Sequence, residues 1–129
     1  MKNRKAFEAI ISRYIQAYNN FDVEGMTLDF DEQIVFEHIS NGETTMLLHG
    51  LPAFIQQAEQ AKSLFSSRQQ AVHRFTHHEE KTEVEVSFSA VLATDQPGGF
   101  RKGMEIKLTG TSVFTFSGDK IIALTDISH

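Results

Sequence analysis

The 129-residue chain contains no cysteine, no tryptophan, two prolines, and no lysine or arginine between Arg13 and Lys62. Without thiols there is no disulfide framework, no thiolate zinc site and no cysteine nucleophile. The stretch without cations carries Asp22, Glu24, Asp29, Asp31, Glu32, Glu37, Glu43 and Glu59, so that half of the chain cannot make a phosphate-binding face. Lys2, Arg4 and Lys5 form the one local basic cluster, and so short a terminal cluster reads as a solvated end, which argues against nucleic acid as a partner. No apolar run approaches the length of a membrane span, and MKNRKAFEAI has neither the apolar stretch nor the cleavage site of a signal peptide. These features predict a cytoplasmic protein with no membrane partner. HExxH, phosphate-loop, dinucleotide and Gly-x-Ser-x-Gly patterns are all missing, which removes the common zinc-protease, nucleotide and α/β-hydrolase readings and leaves a chemistry without cofactor or metal.

What is present points to one globular domain over residues 1–129, with 40% apolar and 22% charged residues and a net charge of −5. Eleven Phe and six His suggest an apolar pocket holding groups that titrate near neutral pH. From Arg4 to Phe21, the residues Phe7, Ile10, Ile11, Tyr14, Ile15, Tyr18 and Phe21 recur at steps of three and four, the stripe of an amphipathic helix. Asp22 is placed to cap a short second helix through Val23, Met26 and Leu28. Gln33 to Ile39 reads as a strand, Asn41-Gly42 as a hairpin turn, and Thr44 to His49 as the returning strand. Gly50 and Pro52 open a third helix with Phe54, Ile55, Ala58, Ala61 and Phe65 on one stripe. Strands follow over Gln69–His78, Thr82–Ala93, Lys102–Phe116 and Lys120–Ser128. In Thr82–Ala93 the alternation is clean, with Val84, Val86, Phe88, Ala90 and Leu92 opposite Glu83, Glu85, Ser87 and Ser89. The order predicts an α+β domain whose three helices lie on one face of a strongly curved antiparallel sheet.

The run Arg13-Tyr14-Ile15-Gln16-Ala17, followed by Asn19, Asp22, Gly25, Phe30 and the strand Ile34 to His38, resembles the opening of nuclear transport factor 2-like proteins. Within that superfamily the chain is most similar to ketosteroid isomerases and SnoaL-like polyketide cyclases. The likeness extends through Gly50 and the closing strand Lys120 to Asp126, and it is the order and spacing of these weak motifs that carry it. The resemblance implies a cone-shaped half-barrel in which the sheet wraps around the first helix, an apolar pocket for a small molecule, and a homodimer formed through the sheet. It also implies a pocket lining of Tyr18, Phe36, Phe54, His73, Phe75, Phe88, Phe114 and Leu124. Position by position, the isomerase tyrosine that stabilises the enolate oxygen is similar to Tyr14. The isomerase base, an aspartate, falls at His38, and its second oxyanion donor, also an aspartate, falls at Ser112. With one of three retained, true ketosteroid isomerase activity is disfavoured. Asp126 looks like the acid/base aspartate that SnoaL-like cyclases place on the final strand.

Each of these residues also has a purely structural explanation. Tyr14 lies on the buried stripe of the first helix and needs a partner for its hydroxyl if dry. His38 shares a face with Ile34 and Phe36, where a histidine is commonly a satisfied core residue; facing a cavity, its imidazole would serve as a general base at pH 7. Asp126 shares a face with Ile122 and Leu124, an apolar setting that raises a carboxyl pKa, unless the terminal strand frays and solvates it. Ser112 would donate to a substrate oxygen or simply bond locally. His73, Phe75 and His77 alternate onto one face, and His77-His78-Glu79-Glu80 reads as a solvated rim rather than a metal site. Two functions stay open at this point: a cofactor-independent enzyme performing isomerase-, cyclase- or dehydratase-like proton transfer on a small apolar oxygenated molecule, and a non-catalytic binding or dimerisation module of the same fold. Convergence of Tyr14, His38 and Asp126 around an open cavity is what separates them.

Overall fold

The computed structural model describes residues 4–129; Lys2 of the basic cluster lies outside them. Helix α1 spans Arg4–Asn19, α2 Val23–Met26 and α3 Leu51–Ala61, with strands β1 Phe30–Ser40, β2 Glu43–His49, β3 Phe65–His77, β4 Lys81–Leu92, β5 Glu105–Ser117 and β6 Lys120–Ser128. The strands form one six-stranded sheet in the order β2-β1-β6-β5-β4-β3, not closed into a barrel. Antiparallel pairing holds in the β1–β2 hairpin and through β3–β6, as expected, while β1 and β6 run parallel and make the sheet mixed. Sequence patterning reports each strand but not which strands meet, and this pair joins residues some ninety positions apart.

Local chemistry explains the elements. Phe7, Ile10, Ile11, Tyr14 and Ile15 bury the inner stripe of α1 against the sheet, with Phe7 stacked on Phe116 at 3.8 Å between ring centroids. The chain leaves α1 through Phe21 in a left-handed conformation (φ 58°), and Asp22 caps α2 by accepting from the Gly25 amide at 3.0 Å. Asn41 and Gly42 both have positive φ, as a tight hairpin turn requires. Ile11, Ile34, Val84, Phe114, Phe116, Ile121 and Leu124 are almost wholly buried and form the core between α1 and the sheet.

Four expectations shift. Leu28 lies beyond the end of α2 and is 64% exposed. Phe65 leaves the third helix, which passes through a 3-10 turn at Lys62–Leu64, and starts β3 instead, packing edge-on against Phe88. Strand β5 begins at Glu105, because the chain first turns back through Gly98, Gly99 and Gly103, all at positive φ. Ile122 is the extra residue of a bulge between the Phe116–Ile121 and Thr115–Ala123 pairs, so Ile121 rather than Ile122 reaches the core beside Leu124.

Candidate functional site

Three neighbouring strands carry the candidate polar groups at one level of the sheet. His38 on β1 pairs in register with Asp126 on β6, and Asp126 pairs with Ser112 on β5. Side chains at paired positions share a face, so the three stand side by side. The next level holds Ser40, Ser128, Gly110 and Val86. A cavity of about 200 Å³ opens over these two levels, lined by Tyr18, His38, Gln70, Val86, Phe88, Leu108, Ser112, Asp126, Ser128 and the backbone around Gly110.

The Ser112 hydroxyl donates to Asp126 Oδ1 at 2.7 Å. Asp126 keeps accessible surface, and it is one of the cavity's lining residues, so its open edge faces that space. Enclosure by protein raises its pKa above the ordinary carboxylate value; the Ser112 bond and then the His38 ring pull the other way. Asp126 is held within β6 between two paired strands, so the terminal strand does not fray there.

His38 does not bond Asp126. Its Nδ1 lies 2.6 Å from Thr45 Oγ1 and its Nε2 3.0 Å from Ser128 Oγ. Thr45 is the extra residue of a bulge in β2, which aims its hydroxyl back at His38. Tyr14 is packed between Phe30 and Phe114, with centroids 5.7 and 5.6 Å away, and it is not among the cavity-lining residues. Burial, then the charge of Asp126, holds its phenol pKa well above the ordinary value. The expected convergence of Tyr14, His38 and Asp126 is therefore incomplete: His38 and Asp126 border the cavity without bonding each other, Tyr14 lies outside it, and Tyr18, one turn later on α1, reaches the cavity in its place. Its pKa is raised by burial and opposed chiefly by the Arg68 guanidinium, which sits 3.7 Å from its ring centroid.

The expected lining residues divide. Tyr18, Phe88, His38, Ser112 and Asp126 border the cavity. Phe36, Phe54, Phe114 and Leu124 belong to the packed core instead: Phe54 meets Phe30 and Phe36 edge-on at 4.9 and 5.5 Å, and Phe114 and Leu124 are at most 1% exposed. Side chains of α1 and α3 fill that end of the curved sheet. Phe75 packs against the same core and stacks on His77. His73 is displaced by a bulge between Val72 and Arg74, which turns it to the outer face, where it bonds Ser87. His77 is not a solvated rim residue, since it is 10% exposed and bonds Glu8 at 2.6 Å and Thr82 at 3.0 Å, tying α1 to the sheet. His78 does stay on the surface, paired with Glu83.

Sequence reasoning misses four polar residues around the site, and Val86 and Leu108 of the cavity wall. Ser128 was legible, because it stands two positions after Asp126 on the same strand and so on the same face. Gln70 pairs with Phe88 across β3 and β4, which fixes its side of the sheet. Thr45 owes its place to the bulge, and Arg68, 6% exposed and donating to the Tyr18 carbonyl at 2.9 Å, gives no periodic signal.

Among the described residues, no helix is long and apolar enough to cross a membrane. A search of curated proteins finds no match. Among solved structures, a protein of Xanthomonas campestris provisionally assigned as a polyketide cyclase is 18% identical, with 98% of this chain and 93% of that one covered and a TM-score of 0.79. A provisionally assigned hydroxylase of Streptomyces galilaeus is 16% identical, covering 97% and 90%, with a TM-score of 0.77. An LEH-like epoxide hydrolase of M. tuberculosis is 12% identical, covering 94% and 80%, with a TM-score of 0.74. At these identities the likeness shows a common fold. The family model for the SnoaL-like domain matches residues 11–124, nearly the whole described chain, and the protein belongs to that family.

Proposed function

We propose that the protein is a cofactor-independent enzyme that moves a proton on a small, mostly apolar, oxygenated molecule, in an isomerase-, cyclase- or dehydratase-like reaction. The observation that carries this is the Asp126 carboxyl, enclosed by protein, bonded by Ser112 and open to a cavity walled by Val86, Phe88 and Leu108. A carboxyl with a raised pKa is a better match to proton exchange with carbon near neutral pH than an ordinary surface aspartate. Ser112 has one hydroxyl proton, and it is committed to Asp126, so Ser112 orients the carboxyl rather than binding substrate. The Tyr18 hydroxyl, with the Gln70 amide beside it, is the donor available to an oxygen on which charge develops, while Tyr14 is buried outside the cavity. His38 stands beside Asp126 as the second titratable group of the cavity. The likeness to structures assigned as a cyclase and an epoxide hydrolase supports an oxygenated substrate.

The test is isotope exchange. Small cyclic and aryl ketones incubated in D₂O with the protein gain deuterium on the carbon beside the carbonyl above the buffer rate, and Asp126→Asn abolishes the gain. A ketone that binds in the cavity, shown by chemical-shift changes at Ser112 and Asp126, yet exchanges at the buffer rate contradicts the proposal.

A further inference from the structure

One placement of hydrogens satisfies every contact around His38. Thr45 Oγ1 lies 3.2 Å from the His38 carbonyl oxygen, to which it donates, and 2.6 Å from His38 Nδ1. A threonine hydroxyl has one hydrogen. All the contacts are made at once only with that hydrogen on the carbonyl: Oγ1 then meets Nδ1 as an acceptor, and Nδ1 carries the proton. Neutral His38 then has its lone pair on Nε2, and the group 3.0 Å from Nε2 is the Ser128 hydroxyl. Ser128 therefore donates to a histidine whose far side is held by a third residue. This is the arrangement that activates a serine: nucleophile to base, base to orienting group. Ser128 also borders the cavity, and its in-register neighbour on β5 is Gly110, which puts no side chain in front of it.

We propose that Ser128 is a nucleophile activated by His38, giving the cavity an acyl-transfer activity toward short-chain esters that is distinct from the proton transfer assigned to Asp126. Ser128 Oγ bonds to the ester carbonyl carbon as its proton passes to His38 Nε2. The bond to the alcohol oxygen breaks, and that oxygen leaves with the proton from Nε2. Water then attacks the acyl-serine, its proton moves through Nε2 back to Ser128 Oγ, and the acid is released. Thr45 is a positioning residue that holds the ring. The cavity, at about 200 Å³, suits a short acyl chain.

The probe is diisopropyl fluorophosphate, with p-nitrophenyl acetate as a turnover substrate. Attack by Ser128 forms an O–P bond and expels fluoride, with the serine proton leaving through His38. Cleavage after Lys120 releases residues 121–129, in which Thr125 and Ser128 are the hydroxyl residues, and Thr125 faces the other side of the sheet. The wild-type protein is expected to carry the adduct on Ser128 and to release a burst of nitrophenol. Ser128→Ala loses both, and His38→Gln slows labelling by about 100-fold or more. Thr45→Val slows it and Thr45→Ser restores it, a rescue that loss of packing would not show. Exposed Ser63→Ala is the control and labels as wild type. Wild-type protein without an adduct on Ser128, or with one formed equally fast in His38→Gln, overturns the proposal. Because the wild-type map alone decides, a variant that misfolds does not rescue it. Failure here leaves deuterium exchange dependent on Asp126 intact, and failure of that exchange leaves a mapped Ser128 adduct intact.

Discussion

Replacing Asp126 by Asn is expected to stabilise the protein at pH 8 while removing its proton-transfer chemistry. Asn keeps the shape and accepts the Ser112 hydrogen bond but carries no charge. Ionised Asp126 bears the cost of leaving water, several kcal/mol for a fully enclosed ion. That cost is reduced by its opening to the cavity and by a charged hydrogen bond worth about 1.5–3 kcal/mol, leaving a net penalty of about 1–3 kcal/mol. The folded-state pKa is raised, so the folded protein holds the proton more tightly than the unfolded chain. This contribution to stability is fully present below the ordinary aspartate pKa and is lost as pH rises through the higher folded value. The Asn variant lacks that loss. For 129 residues the unfolding entropy near the midpoint is about 0.27 kcal/mol/K, so at pH 8 the variant should melt about 4–11 °C above wild type, with the difference shrinking toward zero at pH 3–4. Thermal denaturation by circular dichroism across that range measures it, and the other carboxylates cancel in the comparison. An Asn variant less stable than wild type at pH 8, or a difference independent of pH, refutes the placement of a destabilised carboxylate at this position.

Two further outcomes test the frame that holds the site. In Gly110→Ala the added Cβ would lie 2.6 Å from the Ile127 carbonyl oxygen, so β5 and β6 must separate; a loss of about 1–3 kcal/mol is expected, whereas Lys107→Ala, at an exposed position of the same strand, should lose less. Chemical denaturation of the two variants side by side decides. Ile11→Ala empties a position with no solvent exposure beneath the sheet and should cost about 2–5 kcal/mol, read as a lower urea midpoint at unchanged slope.

The fold was legible because its signals are local and repeated. The α1 stripe, the Asp22 cap, the Asn41-Gly42 turn and the alternation of β4 each follow from neighbours in sequence, and each appears in the structure. The resemblance supplied what local patterning does not: the curvature of the sheet around α1. Of the expected site residues, His38, Ser112 and Asp126 are brought to one level by register. Errors occurred where a bulge breaks the period of two. Bulges turn His73 and Ile122 away from the face that alternation predicts, and another bulge gives Thr45 a place that alternation does not. Tyr14 and Tyr18 lie on one helical stripe, and only the depth at which the core closes decides that Tyr18 meets the cavity and Tyr14 does not.

The central claim is that a carboxyl with a raised pKa faces the cavity at position 126. Carbon-13 NMR of the aspartate carboxyl carbons, with the Asp126 signal assigned by its loss in Asp126→Asn, tests it directly. This signal is expected to titrate above the ordinary carboxylate range and to move higher still in Ser112→Ala, where the hydrogen bond that favours the anion is gone. A titration of Asp126 at or below the ordinary range, unchanged by Ser112→Ala, would contradict it.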